Sequence, residues 1–146
     1  MLGWTYDRLN VASPYPPMDT ATLNLLAGWL GVLGGVASGA VIGLFFHRDD
    51  WMGGYGSYRR RMTRLGHISF LGLGFTNLAF AFTIRAAGMP RTEAHLASLF
   101  FIGGLITMPS CCFLTAWRKP FRHLFAIPVI CVSAGVVAVL AGLPYR

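Results

Sequence analysis

The sequence predicts an all-α integral membrane protein, with four transmembrane helices in an up-down antiparallel bundle. Three observations carry that reading. Hydrophobic residues make up 55% of the chain and charged residues only 12%, too little charge to clothe a water-facing surface. The apolar stretches run for about 20 residues without alternating, which selects spanning helices over a barrel. Cations gather between those stretches, most densely in RRRMTR, Arg59 to Arg64, where water and headgroups can solvate them.

Residues 1–20 are too polar to span. Trp4, Tyr6 and Tyr15, among Pro14, Pro16 and Pro17, make an interfacial N-terminal tail, since Trp and Tyr settle at headgroup level. No basic start leads into an apolar core, so the mature chain is expected to begin at Met1. Asp19 or Thr20 caps the first helix, because the prolines before it cannot continue a helix and a side-chain oxygen can accept from its free N–H groups.

The four-helix domain occupies 21–146, with spans of about 21–46, 66–86, 94–117 and 121–143. In the first, Gly31, Gly35, Gly39 and Gly43 follow one another at intervals of four, which on a helix makes a groove that another backbone can approach closely. The partner helix, in this chain or another, stays open. The loop HRDDWMGGYGSYRRRMTRL comes next. Gly53, Gly54 and Gly56 resemble a phosphate-cradling loop only superficially, because no Lys-Ser/Thr follows and no strand precedes, so a flexible interfacial turn is expected. Arg59, Arg60, Arg61 and Arg64 are expected to meet anionic lipid headgroups.

Within the second span, Asn77 needs a partner, for which Thr107, Ser110 and Ser133 are candidates. Pro109 and Pro128 are expected to interrupt the third and fourth helices. Short connections make neighbouring spans antiparallel. Arg48, Arg59, Arg60, Arg61, Arg64, Arg118, Lys119 and Arg122 then share one side, against Arg8, Arg85, Arg91 and Arg146 on the other. The excess places the basic loops in the cytoplasm and both termini outside, as in a bacterial-type inner membrane. This distribution accounts for the net charge of +7 without nucleic acid as a partner.

His47, His67 and His123 fall at similar depth near the basic side, and imidazoles from different helices can converge on haem iron, a metal or a pigment magnesium. Against convergence, no HxxxH or ExxH spacing supports it and interfacial histidines are common. His67 is the foremost of the three. Gly66, Gly72 and Gly74 beside it leave room for a haem, a chlorophyll-type pigment, a quinone or another helix. Cys111, Cys112 and Cys131 lie inside apolar segments and read as small packing residues, not metal ligands.

No Asp or Glu falls inside a span, which disfavours a proton- or cation-coupled transporter. No serine or cysteine is recognisably paired with a base, which disfavours an enzyme. The expected function is a non-catalytic small integral membrane subunit of a larger protein complex, in an electron-transfer, photosynthetic or respiratory setting. Alternatives are a small oligomeric transporter or channel, and a haem- or metal-binding redox protein.

Overall fold

The computed structural model describes residues 19–144, so the tail before Asp19 lies outside the described residues. Four α-helices follow in order: α1 (Thr20–Leu44), α2 (Tyr58–Ala87), α3 (Arg91–Trp117) and α4 (Ala126–Gly142). A 3-10 turn at Trp51–Gly53 lies between α1 and α2, and a 3-10 segment, Lys119–Phe125, leads into α4. All four, α4 taken with its 3-10 lead, are long and apolar enough to cross a membrane.

Asp19 is the N-cap of α1, accepting the Thr22 N–H at 2.6 Å. Hydrogen bonds from the Thr22 side chain and backbone, with a further contribution from the Arg85 charge, hold its carboxyl below the ordinary 3.8. A depressed carboxyl stabilises the fold above its unfolded pKa and loses that contribution as pH falls through the lower folded value. Amide protection at Thr22, relative to the middle of α1, is therefore expected to drop below about pH 4. Asp19→Ala should abolish that pH dependence in hydrogen exchange.

The other ends are equally local. Ser57 caps α2 by accepting the Arg60 N–H, and Gly88 ends it in the left-handed region at φ 63°. The helix thus begins at Tyr58, ahead of the span expected from about 66, because hydropathy registers only the apolar part of a helix. The arginine cluster therefore rides on two turns of α2. The fourth helix is corrected: Pro128 is the third residue of α4, not an interruption. A missing N–H in the first turn leaves no intrahelical bond unmade. Pro109 does lie inside α3, where it is buried.

Glycine contacts fix the register. Along α1, Gly28, Gly31, Gly35 and Gly39 meet Leu78, Gly74, Leu71 and His67 in turn, so α1 and α2 run antiparallel over three turns. Gly66 meets Phe113, and Asn77 meets Phe101, which sets α2 against α3; Gly104 meets Val132 and Gly135 meets Phe101, which sets α3 against α4. All three pairs are antiparallel. The arrangement is nevertheless not a closed square. Helix α3 touches the other three, whereas α4 packs on α3 and the 3-10 segment and brings no backbone close to α1 or α2.

Candidate functional site

The three histidines are not drawn into one ligand set. His47 is exposed just beyond α1, and His123 is exposed in the 3-10 segment. His67 is half-buried against α1, with Nδ1 2.8 Å from the Gly35 carbonyl oxygen and 3.3 Å from Ser38 Oγ. A carbonyl only accepts, so Nδ1 is the donating nitrogen in this contact and Nε2 is the other ring nitrogen. Among the described residues no three His, Cys, Asp or Glu side chains are grouped to hold a metal ion. Similar depth on different helices did not amount to a shared direction.

The glycine groove of α1 is occupied by α2 of the same chain. A Cβ on Gly31 would stand 2.9 Å from Gly74 Cα, and one on Gly39 would stand 2.6 Å from the His67 ring. Gly43 has nothing within 4 Å and takes no part in this packing. The reciprocal glycine is Gly74, one of the three expected to leave room beside His67, and another helix, α1, fills that room.

Two amides are completely buried where α1, α2 and α3 meet. Asn77 donates to the Leu73 oxygen at 2.8 Å and to the Phe101 oxygen at 3.4 Å. The expected partners are corrected: Thr107 and Ser110 bond their own helix at Gly103 and Ile106, and Ser133 is exposed. The Asn77 amide donates to backbone carbonyls instead. Asn24 donates to the Thr20 oxygen at 2.8 Å and to Ser98 Oγ at 2.6 Å, tying α1 to α3. Ser98→Ala removes that tie and is expected to cost about 0.6–1.7 kcal/mol, the range of hydrogen bonds between membrane helices. The unfolding midpoint in mixed detergent micelles would register the loss.

At the basic end, Arg60 is 2% exposed and therefore does not present its guanidinium to headgroups. Its Cζ lies 5.4, 5.5 and 5.2 Å from the ring centres of Phe46, Trp51 and Tyr55. Three ring faces replace water around the cation. The carbonyls of Phe46 and Arg48 each lie 3.5 Å from its nitrogens. The α1–α2 turn folds over this side chain: Phe45 stacks on Trp51, Ser57 Oγ donates to the Met52 oxygen, and Met52 itself sits at φ 56°. Arg59 points elsewhere, donating to the Ala116 carbonyl that the end of α3 leaves open, and Arg64 also lies over the Tyr55 ring, at 4.5 Å.

Because α4 packs mainly on α3 and brings no backbone close to α2, a groove floored by α3 remains between α2 and α4. Its upper part, about 460 Å³, lies among Ile68, Gly72, Thr76, Met108 and Val129. A lower part of about 190 Å³ shares Thr76 and continues to Thr83 and Val139. Comparison with protein-family models, curated proteins and solved structures finds no match to this chain.

Proposed function

We propose that this chain is a non-catalytic integral membrane subunit of a larger membrane assembly, with its basic end on the cytoplasmic side. The carrying observation is the loose hold on α4. Over an apolar 18-residue stretch of α4 taken with its 3-10 lead, Lys119–Gly142, only 11% is buried by the chain, against 44% for α3. A helix with one main packing neighbour gains stability from a lateral partner, because packing and hydrogen bonds, not hydrophobicity, hold helices together in lipid. The polar side chains of the interior support the same reading: Asn24 and Asn77 are sealed between helices and line no path. That speaks against the channel alternative.

His67 favours a redox setting for the assembly. Its Nδ1 is held by a carbonyl, leaving Nε2 as the nitrogen for a haem or quinone contact, the arrangement that orients imidazole ligands generally. The test is the native mass of the gently extracted protein with identification of what migrates with it. Co-migration with larger redox or pigment-bearing chains is expected. A homogeneous small multimer would overturn the reading in favour of a transporter.

A further inference from the structure

We propose that the α2–α4 groove holds an acyl chain of an anionic phospholipid, whose phosphate rests among Arg61, Lys119 and Arg122. The groove is apolar and follows α2 from Ile68 to Thr83, about 22 Å at 1.5 Å per residue. One leaflet of a ~30 Å hydrocarbon core is shorter than that, so a single acyl chain fits lengthwise.

The upper end of the groove selects the headgroup. On α2, Arg61, Leu65, Ile68 and Gly72 follow at helical spacing, all exposed, so Arg61 continues the groove wall about two turns beyond Ile68. On the other wall, the 3-10 segment leading into α4 carries Lys119, Arg122 and His123 around a separate cavity of about 270 Å³. Both walls thus pass from apolar to cationic towards the same end. The acids described there, Asp49 and Asp50, belong to the α1–α2 turn. A phosphodiester carrying net negative charge complements this end better than a zwitterion.

This assignment stands whether or not the chain is a subunit, since it concerns the isolated protein. The test is native mass spectrometry of the detergent-stripped full chain titrated with phosphatidylglycerol or phosphatidylcholine. The expected result is one phosphatidylglycerol bound about tenfold more tightly than phosphatidylcholine, the order expected of one or two cations acting on a headgroup. Gly72→Trp, at a position with nothing within 4 Å, fills the groove and should abolish binding of both lipids while circular dichroism stays unchanged. The exposed pair Arg61→Gln with Arg122→Gln should keep binding but lose the preference. Equal binding of the two lipids by the unaltered chain would overturn the proposal. So would unchanged binding by Gly72→Trp, or a dimer that this substitution converts to monomers, which would put a second copy in the groove.

Discussion

Gly74→Leu is expected to force α1 away from α2, with a loss of about 3 kcal/mol or more, at the upper end of overpacking costs. A Cβ at this position would stand 3.0 Å from the Gly28 oxygen, 3.0 Å from the Val32 nitrogen and 3.2 Å from the Gly31 carbonyl carbon. All three are backbone atoms of α1. No rotamer change relieves them, so the helices must separate and the contacts from Gly28 to Gly39 loosen together. At Gly35 the obstacle is the Leu71 side chain, which can turn aside, so the same substitution there is milder. Gly72→Leu is the matched control, two residues away and facing nothing within 4 Å. The measurement is reversible unfolding in mixed micelles: a large shift for Gly74→Leu beside a change within about 0.5 kcal/mol for Gly72→Leu. Equal shifts would mean that the two helices do not cross there.

The second large effect belongs to Arg60→Ala, which should cost about 2–4 kcal/mol through an emptied cage and lost cation–π contacts. The guanidinium fills the space between Phe46, Trp51 and Tyr55. Without it, the 45–57 turn has no centre to close upon. Arg60→Lys should restore little, because a compact, strongly hydrated ammonium cannot lie flat against three rings. Trp51 emission should shift to the red in both variants, and protease should cut the turn faster than in Arg61→Ala. Identical cleavage in Arg60→Ala and Arg61→Ala would show that the cage does not hold the turn.

Four apolar helices were legible because lipid-length hydrophobicity is a one-dimensional property. Their starts were less so: Ser57 caps a helix whose first two turns are charged, and hydropathy cannot distinguish a charged helical turn from a loop. In the interior, the glycine spacing of α1 and the room left by Gly74 were both visible, but that the two meet each other shows only once α2 is laid alongside. Arg60 was read as a headgroup contact with its neighbours. On α2, however, Arg60, Thr63, Gly74 and Asn77 lie close to one face, and all are buried. That periodicity was the available signal that one arginine of four turns inward. Asn24 stood in plain sight within an apolar span. The direction of His47, His67 and His123 was not legible at all, since it depends on how helices rotate about their axes.

The contact pattern of α3 also bears on how the chain assembles. Each helix packs chiefly on the one made just before it, and the last is held mainly by α3, with its far end also against Met89 of the α2–α3 connection. Contacts between sequence neighbours close short loops and favour rapid assembly. Helices α1 to α3 can therefore bury both asparagines and settle their register while α4 is still being synthesised. The fourth helix then arrives at a finished surface, and it is also the element that can detach at least expense to the rest, so partial opening of this protein should begin at its C-terminal helix.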